Sequence, residues 1–172
     1  MRNLEYKARC EDHKAMMAKA RAIGFDLWGD LRQTDTYFKV DSGRLKLRET
    51  AGFQGELIHY QRDEGGAHRP SDYEVATTPD PATLRRVLGH ALGVVAVVKK
   101  RRTLLVLDGA RIHLDNVDGL GVFVEIEVPV KDDEAASEQR MTWLMSELGL
   151  DWDGCIRASY LDMALSMEET RA

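Results

Sequence analysis

Alternation with a period of two runs through most of the chain. Leu4, Tyr6 and Ala8 alternate with Asn3, Glu5, Lys7 and Arg9; Leu45 and Leu47 alternate with Arg44, Lys46 and Arg48; Val122, Val124, Ile126 and Val128 alternate with Phe123, Glu125 and Glu127. Side chains along a strand point to opposite faces in turn, so each stretch predicts a strand with one apolar and one polar face. Further strands are predicted over 25–31 and 34–40, broken by a polar link, and over 57–62 and 71–77, with 63–70 as a loop. Val94 to Val98 lead through Lys99-Lys100-Arg101-Arg102 into a strand over 103–107 that turns at Asp108-Gly109. Helical spacing replaces alternation in four places. Asp12 caps a helix over 13–23 with Met16, Met17 and Ala20 as its stripe. Asp80 and Pro81 open a second, with Leu84, Val87, Leu88, Ala91 and Leu92 as its buried stripe. A third runs over 132–148 through Met141, Leu144, Met145 and Leu148, and a short terminal one over 159–167.

The pattern amounts to about eight strands and three or four helices, with a charged face recurring on the strands. An open sandwich would turn those charges to solvent. A closed barrel with helices outside would put the apolar faces under the helices and the charges in a lumen. At 172 residues and 44% hydrophobic content, the chain is expected to form one domain spanning 1–172. A net charge of -5 gives no global nucleic-acid signature. No apolar run approaches a membrane span, and no leader pattern opens the sequence. Cys10 and Cys155 lie far apart and read as reduced thiols of a cytoplasmic protein.

The chemistry lies in the charged faces. Glu125 and Glu127 share one face of a strand, and Asp115, before the turn at Gly119 and Gly121, can fold back toward them. If they face inward, such carboxylates need a compensating charge, which a hard cation, Mg²⁺ or Mn²⁺, would supply; the alternative is a solvated polar strand face. Arg44, Lys46 and Arg48 repel one another unless solvated or sharing an anion, for which a polyphosphate is suited. Within Lys99 to Arg102, alternation sends two cations to each face.

Five ordered motifs carry a family resemblance: Asn3 to Arg9, Gln33 to Phe38, Gly43 to Arg48, Lys99 to Arg102 and Leu114 to Glu127. Together they resemble the CYTH superfamily, the triphosphate tunnel metalloenzymes, which include class IV adenylyl cyclases and thiamine and inorganic triphosphatases. The resemblance implies an α+β fold, a closed eight-stranded antiparallel barrel with helices packed outside. It implies Glu5, Asp115, Glu125 and Glu127 as ligands of Mg²⁺ or Mn²⁺. It implies Lys7, Arg9, Arg44, Lys46, Arg48, Arg62, Lys100 and Arg102 as triphosphate contacts, with Lys7, Tyr37 and Arg102 nearest the chemistry. Expected partners are ATP, inorganic triphosphate or thiamine triphosphate, with no nucleic acid or membrane; relatives are often dimers, which suggests a homodimer.

The sequence also departs from the family. Asn3 stands where the opening pattern has its first glutamate, removing one carboxylate. Tyr37 matches the tyrosine of the triphosphatases' tyrosine–lysine pair, but the predicted strand over 57–62 has no lysine, and arginine stays protonated. The motif wording is nearest the class IV adenylyl cyclase-like branch. Hydrolysis of a triphosphate and non-catalytic binding of a polyphosphate or nucleotide stand as alternatives.

Overall fold

The computed structural model describes residues 2–62, 69–130 and 133–171. In chain order its elements are β1 (Arg2–Arg9), α1 (His13–Ala22), β2 (Asp26–Phe38), β3 (Arg44–Thr50), β4 (Gly55–Arg62), β5 (Arg69–Thr78), α2 (Pro81–Leu92), β6 (Val94–Leu107), β7 (Ala110–Val117), β8 (Gly121–Pro129), α3 (Glu134–Leu148) and α4 (Tyr160–Arg171). The strands pair antiparallel in the ring β1-β5-β4-β3-β2-β6-β7-β8, and β1 closes it by pairing with both β5 and β8. This is the closed barrel with helices outside that the charged-face alternation allows.

Local chemistry sets the boundaries. Asp12, Asp80 and Asp133 cap their helices by accepting from the backbone N–H three residues on, at 2.8, 3.0 and 3.2 Å. Asp132, expected to open α3, lies outside the described residues. Gly43 turns β2 into β3 at φ +66°, where a Cβ would stand 2.8 Å from the Tyr60 carbonyl oxygen. Ser159 and Asp162 bond reciprocally at the start of α4: Ser159 N–H donates to Asp162 at 2.8 Å, and Asp162 N–H donates to Ser159 Oγ at 3.1 Å.

Two expectations are corrected. The strands expected over 25–31 and 34–40 are one strand, β2, which crosses the polar Arg32-Gln33 link because its long partner β6 pairs with it on both sides. The β2–β6 register is irregular between Leu27 and Gly29 and between Tyr37 and Phe38, on either side of that link. The α2 stripe is not buried: Leu84 and Leu88 are half-covered, while Val87, Ala91 and Leu92 are exposed. This helix lies over β2 and β3, where Phe38 and Leu47 are buried while the apolar side chains of the helix itself stay partly or fully exposed.

The alternation sorts the barrel into two cores. On the outer face, Leu4, Tyr6, Ile112, Leu114, Val124, Ile126 and Val128 pack under α1 and α3, where Met141, Leu144 and Leu148 are fully buried. Each such side chain contributes about 2 kcal/mol. On the inner face, Tyr37, Val98, Val117 and Phe123 meet Tyr160 and Leu161 of α4, which closes one end of the lumen. What remains inside is mainly polar, with Leu31, Ile58, Val75 and Leu104 as its apolar members.

Candidate active site

A cavity of about 300 Å³ occupies the lumen. Glu5 and Lys7 on β1, Asp35 and Tyr37 on β2, Lys46 and Arg48 on β3, Lys100 and Arg102 on β6, Arg111 and His113 on β7, and Glu125 and Glu127 on β8 line it or are buried against it. They meet because strand registers set alternating residues opposite one another. Glu5 faces Glu127 and Lys7 faces Glu125 across β1–β8, while His113 faces Glu125 and Arg111 faces Glu127 across β7–β8. Lys100 and Arg102 turn inward, and Lys99 and Arg101 outward.

The cations are held by buried carboxylates. Asp35 accepts from Lys46 at 3.0 Å and from Arg48 through two bonds of 2.8 Å, with Lys100 Nζ 3.8 Å away. Burial pushes the Asp35 carboxyl up, but Arg48, Lys46 and Lys100 outweigh it and hold it well below the usual carboxylate range. Asp115 takes Arg102 through two bonds of 2.7 and 2.6 Å and a third from Tyr160 Oη at 2.9 Å. Burial, then the charges of Glu125 and Asp115, raise the Tyr160 phenol well above its ordinary value, so it donates as a neutral hydroxyl. Paired guanidinium groups of this kind are fixed in plane before any ligand arrives.

Glu125 and Glu127 line the same cavity as Asp35 but are less deeply buried, their side chains 16% and 19% exposed against 2%. Glu125 pairs with Lys7 at 3.0 Å and Arg102 at 2.7 Å, and Glu127 with Arg111 at 2.8 Å. Burial raises the Glu125 carboxyl, but the charges of Lys7 and Arg102 beside it bring it well below the usual range. His113 is buried, and its Nδ1 lies 3.5 Å from Glu125 Oε2 and 3.7 Å from Glu127 Oε1 without hydrogen-bond geometry to either. Burial, then the Arg102 charge, keep the ring neutral against the pull of Glu127. One ligand atom from each of His113, Glu125 and Glu127 falls within 4.8 Å of the others. Two oxygens and an imidazole nitrogen so placed suit a divalent cation.

Not every residue implicated by the sequence joins this set. Asp115 lies outside that three-residue group, its carboxylate held by Arg102 and Tyr160. Arg9 stays outside the cavity, donating to the Leu120 carbonyl at 2.5 Å and stacking over Phe123. Arg44 is bound to the start of α4, through Ser159 Oγ and through Asp162 at 2.6 Å. The Arg62 side chain lies outside the described residues. Asn3 lines the lumen; with its amide oxygen turned to Arg111 it accepts at 3.0 Å, supporting the arginine that pairs with Glu127.

The lumen residues that the sequence reading does not single out include Asp35, Arg111, His113 and Tyr160. Stepping back by twos from Asp115 reaches His113 and Arg111 on the same strand face, and stepping back by two from Tyr37 reaches Asp35. Tyr160 carries no such signal, because it reaches Asp115 from a helix 45 residues further on.

A ring of eight antiparallel strands around paired cations and carboxylates defines a closed β-barrel with a charged lumen. The chain belongs to the CYTH domain family, whose model matches residues 1–154. Members of this family bind triphosphate substrates such as ATP, and its tunnel enzymes depend on divalent metals. A Methanocaldococcus jannaschii protein with a provisional adenylate cyclase name is 22% identical over 172 residues, covering 95% of this chain and 98% of its own length. A Pyrococcus horikoshii structure superposes with a TM-score of 0.84 at 21% identity, covering 92% of this chain and 97% of that one. A provisional adenylyl cyclase from Hippeastrum, described as revealing a dominant triphosphatase activity, superposes with a TM-score of 0.67 at 15% identity over 96% of each chain.

Proposed function

We propose that this protein is a divalent-metal-dependent enzyme acting on a nucleoside triphosphate, with the class IV adenylyl cyclase-like conversion of ATP to cyclic AMP and pyrophosphate as its reaction. The observation that carries the reading is the convergence, in one cavity, of a metal-competent Glu125–Glu127 pair and the cations Lys7, Lys46, Arg48, Lys100 and Arg102. A second feature favours a substrate with an organic end. The β4–β5 wall presents Ile58, Tyr60, Tyr73 and Val75, a surface for a planar or apolar group rather than for more phosphate.

Glu125 and Glu127 would hold the metal, which supplies Lewis-acid neutralisation of the phosphate oxygens; Glu5, opposite Glu127 in the β1–β8 ladder, lies outside the His113, Glu125, Glu127 group. Lys46, Arg48 and Lys100, steadied by Asp35, receive the triphosphate. Arg102, fixed by Asp115, and Lys7 stand beside Glu125, where they offset charge building up on the reacting phosphoryl group and the leaving pyrophosphate. In the cyclase reaction the ribose 3′-oxygen bonds to the α-phosphorus, and the bond from that phosphorus to the α–β bridging oxygen breaks. Tyr37, in the lumen beside Lys46, is positioned near the phosphate path.

Triphosphate hydrolysis is the second reading, favoured by the activity attributed to the Hippeastrum relative. Against it, the cavity-lining residues of β4 are Glu56, Ile58 and Tyr60, with no lysine to pair with Tyr37. Incubation with ATP, thiamine triphosphate and inorganic triphosphate, each with Mg²⁺ or Mn²⁺, separates the readings. Cyclic AMP with pyrophosphate supports the cyclase, orthophosphate the hydrolase, and binding with no product a non-catalytic module.

A further inference from the structure

The imidazole beside the two glutamates has no role in holding cations. His113 is 3% exposed, and its Nδ1 is a buried polar atom with no hydrogen-bond partner, aimed at Glu125 Oε2 and Glu127 Oε1. Leaving such a buried atom unpaired is unfavourable, so the position calls for a further partner between the ring and the carboxylates. Two donors each about 2.1 Å from one ion, at a right or tetrahedral angle, stand about 3.0–3.4 Å apart. The observed separations of 3.5 and 3.7 Å need only a small closure to reach that spacing. Glu125 Oε2 already accepts from Arg102 but keeps a second lone pair, and Glu127 is held on its far side by Arg111.

Resting on the metal-dependent reading above, we infer that His113 Nδ1 is a direct metal ligand, making a one-imidazole, two-carboxylate site that prefers first-row transition ions over Mg²⁺. An imidazole nitrogen is a softer donor than carboxylate or water, and Mg²⁺ favours all-oxygen shells, whereas affinity rises from Mn²⁺ through Co²⁺ at a site containing nitrogen. The lumen register makes the arrangement specific: His113 lies directly opposite Glu125 in the β7–β8 ladder, two residues from the Arg111–Glu127 pair.

The test is Mn²⁺ added alone to the full chain, read by pulsed electron paramagnetic resonance for ¹⁴N coupling and by calorimetry for affinity. Wild type should show one directly bound ¹⁴N, lost in His113→Asn. That variant should weaken Mn²⁺ and Co²⁺ by about tenfold or more and Mg²⁺ far less. His113→Asp, which restores a charged oxygen donor, should recover Mg²⁺ binding without the ¹⁴N signal and guards against a variant that merely misfolds. Mn²⁺ binding that is lost in Glu127→Gln yet shows no ¹⁴N coupling in wild type would sink this inference and leave the metal site standing. No Mn²⁺ binding at all would overturn both this inference and the metal-dependent reading beneath it.

Discussion

Asp35 and the Glu125–Glu127 pair are both lumen carboxylates surrounded by cations, yet their environments differ in kind. Asp35 is 1% exposed, and both its oxygens are taken by Lys46 and Arg48. Glu125 and Glu127 face the open cavity, and the imidazole between them is unsatisfied. Three bonds from Lys46 and Arg48 make Asp35 an anchor for those cations, whereas Glu125 takes one cation on each oxygen and Glu127 pairs with Arg111 through Oε2. An unsaturated cluster of the same charge is where a ligand belongs. A close pair of opposite charges is therefore poor guidance to role unless the remaining lone pairs are followed as well.

The sharpest way to break the comparison is at Asp35. Asp35→Asn removes the buried negative charge that Lys46, Arg48 and Lys100 share, and is expected to destabilise the fold by about 3–5 kcal/mol, read by chemical denaturation. Glu127→Gln should leave stability nearly unchanged, because relieving repulsion with Glu125 offsets the lost Arg111 pair, while lowering metal-dependent turnover by about a hundredfold or more. If the two variants exchanged effects, the assignment of structural and ligand-binding carboxylates would be reversed.

Lys100 gives a smaller, pH-dependent effect. Burial, then the Arg102 charge, pull its ammonium from 10.5 down to about 7, against Asp35. Between those values the folded chain holds the neutral amine and the unfolded chain the ammonium. Lys100 therefore adds stability as pH rises through that window, and its penalty is fully present below about 7. Triphosphate binding runs the other way, since it favours the ammonium. Affinity should fall above pH 7 by up to about tenfold per unit, and Lys100→Met should flatten that part of the profile in calorimetric titrations. The smallest effect is expected at α4: Asp162→Asn weakens the cap on Ser159 and the pair with half-exposed Arg44, costing about 1 kcal/mol in thermal unfolding.

Much of the barrel was legible because both of its faces obey one period. Where leucine alternates with lysine or arginine over 44–48, and valine or isoleucine with glutamate over 122–128, the only unknown is which face turns inward. Closure answers it, since the apolar faces need α1 and α3 while the charged faces can neutralise one another. The missed features fall where local pattern carries no information. Arg32-Gln33 looks like a break, and only the length of β6 shows that β2 runs through it. Val87 and Leu92 have the spacing of a buried stripe, but spacing does not say how far a neighbouring element covers it, and both side chains stay exposed. His113 shared a face with Asp115 all along, but a lone histidine among hydrophobic residues is ordinarily core filling. Its significance rests on Glu125 directly opposite, which depends on the β7–β8 register.

The central claim is that metal and triphosphate occupy one lumen and assist each other's binding. Calorimetric titration with a non-hydrolysable ATP analogue, with and without Mn²⁺, in wild type and in the Glu125→Gln, Glu127→Gln double variant, tests it directly. The metal should tighten analogue binding by about tenfold or more in wild type and have no effect in the double variant, with metal-free affinity retained through the cations. Equal affinity with and without Mn²⁺ in wild type would contradict a shared site.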